Sequence, residues 1–72
     1  MTETCWCFEI NFPKDRNGQP QRERWSRSRF FTRSEEVAAV LAGEYEKNAQ
    51  ANGVEVDTRL REIPIPTGCV LI

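Results

Sequence analysis

The sequence contains no histidine, which limits the chemistry that the chain is able to perform. Histidine is the side chain that most often transfers protons or activates a nucleophile near neutral pH. The glycine-rich loop that cradles phosphate groups in nucleotide-binding enzymes is also missing. A chain of 72 residues buries only a small core, and an active-site cleft would remove much of it. We therefore expect no enzymatic activity, no catalytic residues and no cofactor.

Long hydrophobic runs are absent as well, and none approaches the roughly 20 residues that a membrane-spanning helix needs. The first residues lack the basic and apolar stretches of a secretion signal. The three cysteines, Cys5, Cys7 and Cys69, are an odd number without paired Cys-x-x-Cys couples, which argues against a disulfide framework and a zinc site. We expect reduced thiols that act as small hydrophobic residues, no metal, no membrane contact and a cytoplasmic location.

Charge is abundant but is distributed unevenly along the chain. The 10 basic and 11 acidic residues give a net charge of −1. Residues 14–33 nevertheless hold seven basic and two acidic residues, whereas residues 34–72 hold three basic and seven acidic ones. The near-neutral total argues against a protein that neutralises nucleic acid over its whole surface and against an acidic mimic of nucleic acid. The sequence instead predicts one basic segment on an otherwise acidic protein.

The first strand is predicted over residues 4–12, where apolar side chains alternate with polar or small ones. One face would carry Trp6, Phe8, Ile10 and Phe12, and the other would carry Cys5, Cys7, Glu9 and Asn11. The pair Asn17-Gly18 favours a tight hairpin turn, because these residues readily adopt positive φ angles. A turn centred there predicts a second strand over residues 22–31. The resulting cross-strand pairs are Phe12 with Glu23, Ile10 with Trp25 and Phe8 with Arg27.

A helix is predicted to follow. Thr32 and Glu35 have the spacing of a capping box, in which the hydroxyl and the carboxylate each bond a backbone amide at the helix start. Asn52-Gly53 ends the helix, since glycine adopts the left-handed cap conformation without strain. The apolar stripe between these ends consists of Val37, Val40, Leu41, Tyr45 and Ala49.

The third strand is predicted from the alternation over residues 54–61, with Val54, Val56, Thr58 and Leu60 on its buried face. Residues 64–72 form a tail with two prolines, which an ordinary central strand does not accommodate. Its end, Cys69-Val-Leu-Ile, matches the pattern for prenylation. The competing interpretation is an apolar tail that folds back over a sheet edge or the core.

These elements predict one α+β domain over residues 1–72, with β-β-α-β order and a three-stranded antiparallel sheet of order 2-1-3. The first strand is the most apolar and would be central, whereas charge on the second suits an edge, where it discourages unwanted pairing. The helix would cover one face of the sheet, and the opposite face would be open. The covered side chains would be Trp6, Phe8, Ile10, Phe12, Trp25, Val54, Val56 and Leu60.

A run of arginines with aromatic residues between them is the main functional signal. Guanidinium groups pair with carboxylates or phosphates, and aromatic side chains fill a partner's pocket or stack on bases. The alternative is a solvated edge strand whose aromatic residues belong to the core. We take the second strand and the hairpin loop as the candidate contact surface. Its partner-binding residues would be Lys14, Arg16, Arg22, Arg24, Trp25, Arg27 and Arg29.

The order of motifs resembles small hairpin-helix-strand accessory proteins of phages and mobile elements. The resemblance rests on Cys-Trp-Cys-Phe-Glu-Ile at 5–10, the Asn-Gly turn, Arg-Trp-Ser-Arg-Ser-Arg-Phe-Phe at 24–31 and Thr-Arg-Ser-Glu-Glu-Val-Ala at 32–38. Some anti-CRISPR proteins are similar in size and topology, which implies a stoichiometric inhibitor that docks on a surveillance complex. Many of those proteins are strongly acidic, and this chain is not. The difference favours a basic edge at a partner's interface over nucleic-acid mimicry.

The leading prediction is a non-catalytic binding protein, a phage-type inhibitor that docks on a host protein or nucleoprotein complex in the host cytoplasm. The alternative is a small nucleic-acid-binding accessory protein that uses the same basic strand, with the open sheet face as a platform. A third alternative is a regulator lipidated at Cys69. A homodimer that buries the open sheet face or pairs edge strands is compatible with so small a core.

Overall fold

A computed structural model describes residues 3–72 and confirms the predicted α+β architecture. The sheet is three-stranded and antiparallel with the order β2-β1-β3, and one helix packs on it. Residues 1 and 2, which the predicted domain includes, lie outside the described residues. The elements are β1 (Thr4–Asn11), β2 (Ser26–Arg27), α1 (Glu35–Ala51) and β3 (Asp57–Pro64).

β1 is the central strand because it has side chains to bury on both faces. Cys5, Cys7 and Phe8 are fully or almost fully buried. β1 pairs with β3 along its whole length, and paired residues share a face, so Phe8 and Leu60 lie together on the helix side. The Phe8 ring contacts Tyr45 of α1, with ring centroids 5.9 Å apart.

The start of α1 lies two residues later than the capping box predicts. Ser34, not Thr32, is the N-cap residue, and its hydroxyl accepts from the Val37 amide at 3.2 Å. The Thr32 hydroxyl instead accepts from the Ser34 amide at 3.1 Å and so fixes the turn before the helix. Ser34 is the better cap because Glu35 and Glu36 then fall in the first turn, where the helix dipole favours negative charge.

The end of α1 explains why β3 begins three residues after the predicted start. Gly53 has φ +71°, its amide donates to Gln50, and the Val54 amide donates to the Ala49 carbonyl. These two bonds form a Schellman motif, which ends the helix at Asn52-Gly53 as predicted. Because Val54 belongs to this motif, β3 starts at Asp57 and continues to Pro64, a residue that an edge strand accommodates.

The predicted helix stripe is correct for Leu41, Tyr45 and Ala49, which are half-buried, and wrong for Val37 and Val40. Ala38 and Ala42 are the buried residues of the helix, whereas Val37 is 41% and Val40 63% exposed. Small alanine side chains let the helix approach the sheet closely, and Tyr45 then reaches Phe8. No helix within residues 3–72 is long and apolar enough to cross a membrane.

The segment after the hairpin turn, here called the second segment, pairs with β1 as a regular strand over only two residues, not over the predicted residues 22–31. Along the first chain segment, the Ile10–Ser26 pair and the Lys14–Pro20 bridge are four residues apart, from Ile10 to Lys14. Along the segment after the turn they are six residues apart, from Pro20 to Ser26. Two extra residues are therefore accommodated within 21–25. The segment bulges out of the sheet there, as an edge is able to do.

A second bulge follows β2. The Glu9–Arg27 pair and the Trp6–Thr32 bridge are three residues apart along β1 but five apart along the second segment. The two extra residues lie within 28–31, between the end of β2 and the start of the helix cap. The two bulges confine regular pairing to β2.

The register of β2 differs by one residue from the prediction, and this reverses its faces. Ile10 lies opposite Ser26, not Trp25, and Glu9 lies opposite Arg27. Trp25 therefore contacts Arg59 on the face away from the helix, instead of packing beneath α1. A one-residue slip always moves side chains to the other face, because the side-chain period of a strand is two.

The face predicted to be open is partly covered by the tail. Cys5, Cys7 and Ile63 form a buried cluster on it, against which Phe31, Ile65 and Leu71 pack. The Ile72 amide donates to the Phe31 carbonyl at 2.8 Å. This arrangement favours the folded-back tail over a tail presented for lipidation. Burial raises the pKa of the Cys5 and Cys7 thiols, so both stay protonated at neutral pH.

We expect Gly43→Ala to stabilise the protein by about 0.5–1 kcal/mol, because glycine is unfavourable in a helix interior and a Cβ at Gly43 meets no atom within 4 Å. The matched variant Gly53→Ala should destabilise it, since Gly53 has φ +71°. Thermal unfolding of both variants provides the measurement. Changes of the same sign in both would contradict this account of the helix.

Candidate binding surface

The residues predicted to bind a partner lie along one side of the molecule. They follow the hairpin turn and the β2 edge, and we call this set the basic edge. All are exposed except Trp25, which is half-buried. The set consists of Lys14, Arg16, Arg22, Arg24, Trp25, Arg27 and Arg29.

The five arginines of the basic edge form no ion pair with the protein's own carboxylates within residues 3–72. The cations that do form such pairs are Lys14, Arg33, Arg59 and Arg61. Five guanidinium groups on one exposed segment repel one another and attract anions. The basic edge therefore presents positive charge that the fold itself does not neutralise.

Two buried polar side chains hold the bulges, which carry Arg22, Arg24 and Arg29. Asn11 is 5% exposed, and its Oδ1 accepts the Arg24 amide at 2.8 Å while its Nδ2 donates to Asp57 at 3.3 Å. Ser28 is also buried, and its hydroxyl accepts from the Phe8 amide at 3.4 Å and donates to the Phe30 carbonyl at 3.2 Å. Side-chain groups thus take up main-chain bonds that a regular ladder would use.

The hairpin turn contains the predicted Asn17-Gly18 pair, and the Asp15 side chain before it holds the turn. The Asp15 carboxylate accepts from the Asn17 and Gln19 amides, each at 2.9 Å, and Gly18 takes the positive φ of 78°. Lys14 lies 3.8 Å from Glu55 in an exposed pair, which contributes little. Arg16 is left at the tip of the turn.

Phe12 is a residue of this surface that the sequence did not indicate. The alternation places it beneath the helix, yet it is 40% exposed. It borders three concavities, one lined by Arg22 and Arg24, one by Lys14 and Arg16, and one by Tyr45 with neighbouring helix and loop residues. An exposed aromatic ring therefore lies between the two cationic parts of the basic edge.

Trp25 is less available for contact with a partner than the sequence suggests. Its indole N–H donates to the Glu23 carboxylate, and the Arg59 guanidinium lies 4.2 Å from its ring centroid. A cation over an aromatic face at this distance is a favourable contact. Trp25 therefore positions Arg59 and has one face occupied within the protein.

Arg59 and Arg61 extend the basic edge onto the sheet face, and the sequence did not include them in the surface. The Arg59 Nε donates to Glu9 at 2.7 Å, and the Arg61 Nε lies 3.8 Å from the same oxygen. Arg27 flanks Glu9 from the other strand. Only the observed register puts Trp25 and Arg27 on the face of Arg59 and Arg61, so the sequence did not reveal this extension.

No family model, curated protein sequence or solved structure matches this chain.

We expect Glu9→Gln to lower the free energy of unfolding by about 1 kcal/mol, because Arg59 and Arg61 would lose the carboxylate that both of them contact. The loss should shrink at high salt, which screens the remaining repulsion. Urea unfolding at low and high salt provides the measurement. Glu44→Gln, at an exposed helix position, is the control, and a salt-independent or equal effect of the two variants would contradict the account.

Proposed function

We propose that the chain is a non-catalytic binding protein that docks on an acidic surface of a protein or nucleoprotein complex through the basic edge. The supporting observation is the set of five exposed arginines that have no internal carboxylate partner within residues 3–72. Such charge steers encounter with an oppositely charged partner and raises the association rate. The proposal does not require any catalytic group.

An apolar anchor beside the cations supports a protein partner. Protein interfaces concentrate binding energy in aromatic and arginine residues that lie close together. Phe12 is exposed between Arg22 and Arg24 on one side and Lys14 and Arg16 on the other. We infer that Phe12 supplies the apolar contact, while the arginines supply charge complementarity.

A nucleic-acid partner is the second candidate, and one observation favours it. Trp25, Arg27, Arg59 and Arg61 share one sheet face, where guanidinium planes and an indole suit stacked bases and phosphates. The seven acidic residues in 34–72 oppose this candidate, because they repel a phosphate backbone that extends beyond the basic edge.

The finer proposal follows the resemblance to phage accessory proteins. In that case the chain is a phage-type inhibitor, and the partner is a CRISPR surveillance complex in the host cytoplasm. Purified surveillance complex, pre-incubated with the chain and then given target DNA, would test this form directly. Unchanged target binding and cleavage at a molar excess of the chain would refute the finer proposal and leave the general one standing.

The double variant Arg27→Gln, Arg29→Gln should lose partner binding at least tenfold, equivalent to about 1.4 kcal/mol or more. The variant Arg33→Gln, Lys47→Gln removes the same charge away from the basic edge and should bind like the wild type. All three proteins serve as baits in parallel, after near-ultraviolet circular dichroism has shown that they fold alike. The measurement is the amount of each captured protein.

A partner captured equally by the edge variant would contradict the proposed surface. A parallel titration uses labelled single-stranded and double-stranded oligonucleotides at low salt. We expect no binding at tens of micromolar protein, a concentration at which non-specific binders register. Binding that is lost in the edge variant and falls with salt would establish the second candidate in place of the first.

A further inference from the structure

The β3 strand has a free edge of a different kind from the basic edge. β3 is an outer strand of the sheet and spans eight residues without a bulge opposite β1. The Ile65 amide donates to the Glu3 carbonyl, which indicates that odd-numbered residues of this strand direct their main-chain groups toward β1. The amides and carbonyls of Thr58, Leu60 and Glu62 therefore point outward, and an unpaired edge of this kind accepts another strand.

The sequence around Thr58 is antisymmetric in charge. Glu55 and Asp57 precede Thr58 with negative charge, and Arg59 and Arg61 follow it with positive charge. One apolar residue separates the two charges on each side, Val56 before Thr58 and Leu60 after it. A segment of this form is complementary to a second copy of itself that runs in the opposite direction.

Antiparallel pairing of two copies about Thr58 satisfies every charge in the segment. Thr58 would face Thr58 of the second copy across a twofold axis, so that residues 57–59 of the two β3 strands lie opposite each other. Val56, which precedes β3, would face Leu60. Asp57 would face Arg59, and Glu55 would face Arg61, on the sheet face away from the helix. The outward main-chain groups of the even-numbered residues then meet each other, as an antiparallel ladder requires.

Neighbouring registers are less favourable, because each adds a like-charge pair on the axis and has fewer opposite-charge pairs. A pairing centred on Asp57 opposes two aspartates on the axis, and a pairing centred on Arg59 opposes two arginines. Like charges directly opposite each other destabilise a sheet, and opposite charges stabilise it. The charge pattern thus selects one register. The main-chain groups of a strand edge do not select a register by themselves, because they repeat uniformly along the strand.

We propose that two copies of this chain associate through the β3 edges in the register centred on Thr58, which forms a continuous six-stranded antiparallel sheet. The partner copy is argued from this charge complementarity. Arg59 is held by Glu9 through Nε and lies over the Trp25 ring, and its guanidinium would turn toward the β3 edge to meet Asp57 of the second copy. The β2 strands lie at the far ends of the joined sheet, whereas Lys14 of each basic edge contacts Glu55 and lies near the interface.

The expected dimer is weak, because a single strand pair buries less surface than a standard interface. It should form between about 10 µM and about 1 mM and weaken at high salt, since its charge pairs are exposed. Sedimentation equilibrium over this range gives the dissociation constant. A wild-type protein that stays monomeric up to about 1 mM at low salt overturns the proposal.

A charge exchange tests the pairing itself. Glu55→Arg and Arg61→Glu each create like-charge pairs across the axis and should weaken the dimer at least tenfold. An equimolar mixture restores opposite charges at both positions and should recover association to within a few-fold of the wild type. Single variants that dimerise like the wild type, or a mixture that does not recover association, overturn the proposed register.

Cross-linking provides a measurement that does not depend on these charge variants. Thr58→Cys places two cysteines opposite each other on the axis, within the separation that a disulfide spans. Glu62→Cys serves as the control, because Glu62 would face Val54 instead of itself, and both variants keep Cys5, Cys7 and Cys69. We expect a covalent dimer under oxidised glutathione for Thr58→Cys only. Equal cross-linking of both variants, or of neither, overturns the register.

Discussion

Two buried polar side chains, Asn11 and Ser28, determine the path of the second segment. Each accepts a main-chain hydrogen bond where a regular ladder would have used a carbonyl, from the Arg24 amide for Asn11 and from the Phe8 amide for Ser28. No buried side-chain polar atom within residues 3–72 is left without a partner. Because an unsatisfied buried polar group is costly, these bonds make the irregular path energetically acceptable. The arginines of the bulges are then directed to solvent.

The two edges of the sheet differ as a consequence. The β2 edge is short, bulged and cationic, three properties that oppose the addition of another strand. The β3 edge is long and regular, and the charge changes sign at Thr58, from Asp57 before it to Arg59 and Arg61 after it. The first edge is suited to recognition through side chains and the second to strand pairing. A dimer formed through β3 would present two basic edges, which raises the effective affinity for a partner with repeated sites.

The sequence predicted the topology because each element carries a strong local pattern. Alternation identified β1, and the Asn52-Gly53 cap ended α1 where the structure ends it. The prediction failed where tertiary packing, and not the local sequence pattern, decided which side chains are buried. The helix stripe includes Val37 and Val40 by periodicity, but Ala38 and Ala42 face the sheet because smaller residues allow closer packing. Hydrophobicity alone does not contain that information.

The candidate surface was predictable in composition but not in geometry. The seven residues of the basic edge follow from the charge pattern, and the structure places them on one side of the molecule. The position of Phe12 and the additions of Arg59 and Arg61 depend on the register and the bulges. Turn residues alone do not fix these, since Asp15 and Asn11 redirect the chain through side-chain bonds. The periodicity of a sequence does not reveal hydrogen bonds between side chains and the main chain.

The most direct test of this account is the free energy of unfolding, from urea titration, of the single glutamine variants at Arg22, Arg24, Arg27 and Arg29. If these guanidinium groups have no partner within the fold, each replacement should leave the free energy unchanged within about 0.5 kcal/mol or raise it slightly by relieving repulsion. A loss of about 1.5 kcal/mol or more in any one of them would show that the arginine is part of the fold, which contradicts an edge reserved for binding.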